Sequence, residues 1–282
     1  MITREERVES PTGNDARNAT RRWPKIMSTQ EIVRALVWDE NASHVSKEIY
    51  PDGIRGAIAQ ALNKRGKSAP ILATTAHLDE PDQGCSEEAL NAVDVLIWWG
   101  HARHLEVSDD TARRIYHQVH DRGLGLILLH SAQYAKPLQW VLATSGDLKG
   151  GWREANPPDT EEITVCAPRH PIAAGIRDFT LRQEEMYGAP YEVPPPLCVV
   201  FQSYFPLGGE YFPSGICWTV GRGKTEGFRS GPGGGVGEGQ GIGRVFYFRP
   251  GHETHPTYHD SNVQRVLRNA VLWCAKTRIE SK

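Results

Sequence analysis

This 282-residue chain has few cysteines, no long apolar run and no surplus of either charge, and each shortage excludes something. Its five cysteines, Cys85, Cys166, Cys198, Cys217 and Cys274, are odd in number and widely spaced, with no C-x-x-C pair. Such a pattern builds neither a disulfide framework nor a cysteine zinc site, and it fits a reducing cytoplasm. The charge balance is 32 basic against 34 acidic residues, a net −2. It lacks the basic surplus that nucleic acid and acidic membrane surfaces select. No apolar stretch approaches the ~20 residues that cross a bilayer. The first thirty residues lack the apolar core of a secretory signal, and Glu5, Glu6, Glu9 and Asp15 argue against an acid-poor transit peptide. Residues 1–30 read as a disordered tail, with Met27 as an alternative start. The expected location is the cytoplasm, with no nucleic-acid or membrane partner.

What is present is a core-forming composition, 39% hydrophobic and 23% charged, as in soluble globular domains. From residue 33, short apolar runs alternate with amphipathic stretches. The runs predict strands over 33–40, 69–75, 94–100 and 124–130. The stretches between predict helices over 51–66, 86–92 and 108–123, the last two opened by Ser86 and Ser108 as N-caps. Continuous Val/Ile/Leu runs separated by helices indicate a parallel sheet covered on both faces. The second half predicts strands over 161–167, 197–204, 215–221 and 244–250, the later ones suited to antiparallel pairing, and a closing helix over 261–276. The expectation is one α/β domain over 31–278, with a flavodoxin-like parallel core, helices on both faces and a β-rich C-terminal half. A Gly-rich stretch at 225–243 reads as an insertion in a hairpin turn. Gly223-Lys224-Thr225 within its approach does not make a phosphate loop, because Trp218 stands where the first glycine is required.

Open α/β sheets bind ligands outside the carboxyl ends of their strands, so the residues directly after each strand matter most. In "GLGLILLHSAQY" the apolar run 126–129 stops at His130-Ser131. The first strand ends in Asp39-Glu40-Asn41, the third in a turn carrying His101 and His104, and the last in a turn carrying Arg249, His252, Glu253, His255, Tyr258 and His259. Six of the eleven histidines thus fall on three strand ends. Neighbouring parallel strands lie ~4.8 Å apart, so these ends can converge. Imidazoles at such spacing suit a divalent cation such as zinc, with His101, His104, His255 and His259 as candidate ligands. They equally suit acid–base or binding roles, and His130 alone can be read as a buried histidine bonded to the backbone. His44, His77 and His170 sit in loops with no partner in view. A serine nucleophile is not supported, since G-x-S-x-G is missing, and no cysteine follows a strand as a nucleophile elbow requires.

The motifs "ALVWDEN", "YPDGIRGAIA", "DVLIWWGHARHLEV", "GLILLHSAQYAKPLQWV", "KGGWRE", "HPIAAGI", "EEMYG", "GRGK" and "VFYFRPGHETHPTYH" resemble the ThuA-like (trehalose utilisation) family, a branch of the class I glutamine amidotransferase-like fold. The resemblance covers about residues 32 to 277. It implies that the amidotransferase cysteine at the strand-to-helix elbow is replaced, here by His130-Ser131. It also implies catabolism of disaccharides, trehalose and its 3-keto derivatives in particular. A keto-sugar carries acidified protons beside its carbonyl, which a base can remove while a cation or hydrogen-bond donor stabilises the enolate. In that reading His130, His252 and Glu253 form the catalytic set. Asp39, Asn41, Trp99, Ser131, Trp152, Arg153, Glu185, Tyr187, Arg249 and Tyr258 supply the hydrogen bonds and aromatic faces of a sugar pocket. A non-catalytic sugar-binding or regulatory protein on the same fold is the alternative, and an amidase the weakest third. A homo-oligomer is left open.

Overall fold

The apolar runs after residue 33 become the parallel half of a nine-stranded sheet. The computed structural model describes residues 32–64, 70–221 and 243–280; the expected tail at 1–30 and nearly all of the Gly-rich stretch lie outside them. In chain order the elements begin with β1 (Val33–Asp39), α1 (Gly53–Asn63), β2 (Ile71–His77), α2 (Glu87–Asn91), β3 (Val95–Trp99), α3 (Asp109–Arg122) and β4 (Gly125–Leu129). They continue with α4 (Lys136–Leu142), β5 (Trp152–Arg153), β6 (Asp159–Val165), β7 (Phe179–Glu184) and β8 (Met186–Tyr187). The chain closes with β9 (Cys198–Phe205), β10 (Glu210–Val220), β11 (Gly243–Phe248) and α5 (Ser261–Glu280).

The sheet order is β2-β1-β3-β4-β11-β10-β9-β6-β7, while β5 and β8 pair in a separate ribbon. The first five strands are parallel and reproduce the flavodoxin order, with β11 as the fifth. From β11 onward every pairing is antiparallel. The strand order reverses between β1 and β3, which is where this class of sheet opens a crevice at its carboxyl edge.

Each central strand is buried on both faces. Ile127 and Leu129 of β4 join the core beneath α1 and α5, where Ile54, Ile58 and Leu62 of α1 present a stripe spaced by four residues. Leu126 and Leu128 join the opposite core with Ile115 and Val119 of α3 and Leu138 of α4. There Trp38 and Trp98 on paired strands stack at 3.5 Å between ring centroids. The caps expected for two helices are present: Ser86 accepts from the Ala89 amide and Ser108 from the Thr111 amide. The α3 helix stops at Gly123, whose φ of +72° is a left-handed cap. β7 and α4 are absent from the sequence-based expectation. β7 is an edge strand with charged residues and only two buried positions, and α4 spans only seven residues with no side-chain cap.

Candidate functional site

Leu129 ends β4 in extended conformation, and His130 then turns sharply with φ +55° before a single 3-10 turn leads to α4. A non-glycine residue in this left-handed region is strained. Here the turn places an imidazole at the carboxyl edge of the sheet in the position of a strand-to-helix elbow. His130 is completely buried, and its ring lies between those of Trp99, 6.3 Å away and nearly parallel, and Tyr187 at 5.5 Å.

A chain of polar contacts runs outward from it. His130 Nε2 lies 3.6 Å from Glu185 Oε2 and 3.5 Å from the Tyr187 hydroxyl. That hydroxyl is 2.6 Å from Ser131 Oγ, which is 3.1 Å from His101 Nδ1. His101 Nε2 then faces Glu253 Oε1 at 3.4 Å. His252 stands edge-on to both His101 and His130, and His255 stacks on it at 4.3 Å. The Thr254 amide donates to His252 Nδ1 at 3.2 Å, which leaves the proton of the neutral ring on Nε2. That nitrogen lies 3.8 Å from the exposed Glu154.

The loops holding these groups are tied to one another. Trp99 Nε1 donates to the Gly251 carbonyl at 3.0 Å, and the Ser46 amide donates to the Glu253 carbonyl at 3.2 Å. The Tyr50 hydroxyl donates to the His255 carbonyl at 2.5 Å.

Burial sets the charge of the cluster. It is the largest influence pushing His130 well below the usual imidazole range, with neighbouring His101, His252 and Arg249 adding to it. His101 is lowered by burial and by His44, and His252 is lowered to about 3 by burial and by His255. The same burial raises the carboxyls, Glu253 in direction and Glu185 to about 7 despite the opposing pull of Arg249. At neutral pH the buried cluster therefore holds a neutral imidazole against a carboxyl that titrates near neutrality.

Of the expected site residues, His101, His130, Ser131, Glu185, Tyr187, His252 and Glu253 come together, with Trp99 packed behind them and His255 stacked on His252. Trp152 pairs with Tyr187 across the β5–β8 ribbon and is 61% exposed. The others are engaged elsewhere. Asp39 accepts from the Arg55 side chain at 2.5 Å and from the Arg55 and Asn41 amides, and Asn41 donates to Asp79. Arg153 is paired with Glu210 and with Asp159 at 2.9 Å. Arg249 is wholly buried between Glu161 and Glu184, and Tyr258 is wholly buried with its hydroxyl directed to the Pro250 carbonyl. His104 faces Glu40 at 3.5 Å, and burial lowers it to about 4. His259 meets the Ile49 carbonyl at 2.8 Å. The four histidines expected as one ligand set are thus not gathered. Among the described residues, the one group of three with metal-ligand geometry is His44, His101 and Glu253, whose donor atoms lie within 4.8 Å of one another. His44 follows β1, so the strand-end rule that flagged the other histidines also reaches it, as it does Glu40. Glu154 follows a two-residue strand that leaves no periodic signal.

The concavity of about 760 Å³ between Tyr116, Val141, Pro194 and Trp218 lies at the opposite end of the sheet and carries none of this chemistry. No helix among the described residues is long and apolar enough to cross a membrane.

The family model ThuA, described as trehalose utilisation, matches residues 34–274. A ThuA-like protein from Bacteroides uniformis, 14% identical, superposes with a TM-score of 0.53 over 89% of this chain and 95% of that one. A glutamine amidotransferase from Thermotoga maritima, 11% identical, gives 0.46 over 86% and 98%. A GMP synthase component from Thermoplasma acidophilum, 12% identical, gives 0.43 over 89% and 99%. No curated protein matches the chain.

Proposed function

Because this chain belongs to the ThuA family of trehalose utilisation, we propose that it is an enzyme performing acid–base chemistry on a keto-disaccharide or related keto-glycoside. The observation that carries the reading is the pair His130 and Glu185, 3.6 Å apart and buried at the carboxyl edge of the sheet. His130 is held neutral, which leaves it a ring nitrogen to take a proton from beside a carbonyl, and the Glu185 carboxyl, titrating near 7, is placed to relay it. In the proposed step His130 takes the proton from the carbon next to the keto group. The electron pair moves onto the carbonyl oxygen, and His252 Nε2–H and the Ser131 and Tyr187 hydroxyls are the donors suited to stabilise it. Return of a proton to a different carbon gives isomerisation, whereas expulsion of the glycosidic oxygen gives elimination. Neither route needs a covalent enzyme intermediate, which accords with an elbow that carries histidine in place of a nucleophile. The exposure of Trp152, the backbone partner of Tyr187, supports a sugar as ligand, since an exposed indole offers an apolar platform to a pyranose ring.

The test is turnover of trehalose, other disaccharides and their 3-keto forms by the wild type and by His130→Gln. The expected outcome is conversion of a keto form alone, reduced about 100-fold or more in the variant. Binding of keto-sugars without turnover would favour the sugar-binding alternative.

A further inference from the structure

We propose that His44, His101 and Glu253 form a binding site for one divalent transition-metal cation at the carboxyl edge of the sheet. The three side chains come from the turns after β1, β3 and β11, and each offers one donor atom. His101 Nε2 lies 3.4 Å and His44 Nε2 3.9 Å from Glu253 Oε1. Donors placed about 2 Å from a cation in a tetrahedral array are roughly 3.3 Å apart, so His101 and Glu253 already have the required spacing. His44, whose side chain is 40% exposed, has freedom to close the remaining gap.

Three further observations favour a ligand over chance proximity. Glu253 Oε2 is buried and has no hydrogen-bond partner, an arrangement costly for a carboxylate unless something positive meets it. The turns bearing His44 and Glu253 are joined by the Ser46 amide on the Glu253 carbonyl, so the donors are held together by contacts outside the site. His101 Nδ1 is met by Ser131 Oγ at 3.1 Å, the outer-shell hydrogen bond that orients a ligating imidazole. Two imidazoles and one carboxylate leave coordination positions open, the arrangement of catalytic zinc and related sites. Polarisation of a substrate carbonyl by such a cation rests on the sugar reading above; binding of the cation does not.

The test uses the full chain, freed of any affinity tag and stripped with chelator, then dialysed against Zn²⁺ with metal content read by mass spectrometry. One zinc per chain is expected. His44→Ala, His101→Ala and Glu253→Gln should each weaken binding by at least the roughly 10–100-fold that loss of an outer-shell partner costs, and Ser131→Ala by an amount within that range. His117→Ala, on an exposed helix face, should bind as the wild type. Circular dichroism establishes that each variant is folded, and His44→Ala changes an exposed loop side chain whose loss leaves the core intact. Bound Co²⁺ should show a visible spectrum that His44→Ala alters. Lack of stoichiometric binding by the wild type to Zn²⁺, Co²⁺, Ni²⁺ and Mn²⁺ overturns the proposal. So does unchanged binding in folded His44→Ala and His101→Ala.

Discussion

Glu185 holds its proton to about pH 7 because burial outweighs the attraction of Arg249, whereas an exposed glutamate releases it near 4.5. Between these values the folded chain binds a proton that the unfolded chain does not. The stability this residue contributes therefore falls as pH rises from about 4.5 through about 7. In Glu185→Gln the downward limb of the thermal melting temperature should become shallower, the remainder coming from Glu161, which burial also raises to about 7, and an unchanged slope would place the titrating proton elsewhere. Arg249 teaches a different lesson. From the sequence it is one more polar residue after a strand, with the look of a sugar contact. In the fold it is sealed between Glu161 of β6 and Glu184 of β7, strands more than sixty residues away, and no local pattern announces that meeting. Arg249→Met leaves two buried carboxylates without their cation and should cost about 3–5 kcal/mol in urea denaturation. A loss under about 1 kcal/mol would contradict the assignment.

At the scale of elements, the parallel half was readable because its strands are buried on both faces and spell continuous apolar runs between capped helices. The antiparallel half was readable only in part. β7 at the sheet edge and the two-residue β5–β8 ribbon bury too little to leave a period, yet they deliver Glu184 and Tyr187. The strand-end rule gathered His101, His130, His252 and Glu253 correctly in space. It gave no means of knowing that His104 and His259 turn away, since that depends on Glu40 and on the Ile49 carbonyl. The β11 turn shows how tightly these ends are held. Gly251 has φ +139°, a side chain there would run into the Tyr258 hydroxyl, and its carbonyl anchors Trp99. Gly251→Ala should therefore lower the melting temperature and displace the turn that carries His252 and Glu253. A variant with wild-type stability and activity would refute that role.

For the molecule as a whole, a family of trehalose utilisation, a flavodoxin-ordered core and a histidine at the elbow combine into one account. The strand-to-helix turn after β4 holds a buried neutral imidazole, which the proposed reading makes the base. The link after β7 and the β5–β8 ribbon bring Glu185 and Tyr187 against that imidazole. The central claim is that His130 moves a proton beside a keto group. Its most direct test is exchange of those protons in D₂O, followed by NMR, for a 3-keto-disaccharide incubated with the full chain. The account predicts deuterium incorporation faster with the wild type than in buffer, and slower by about 100-fold or more in His130→Gln. Exchange at the buffer rate in the presence of wild-type protein that binds the keto-sugar would contradict it.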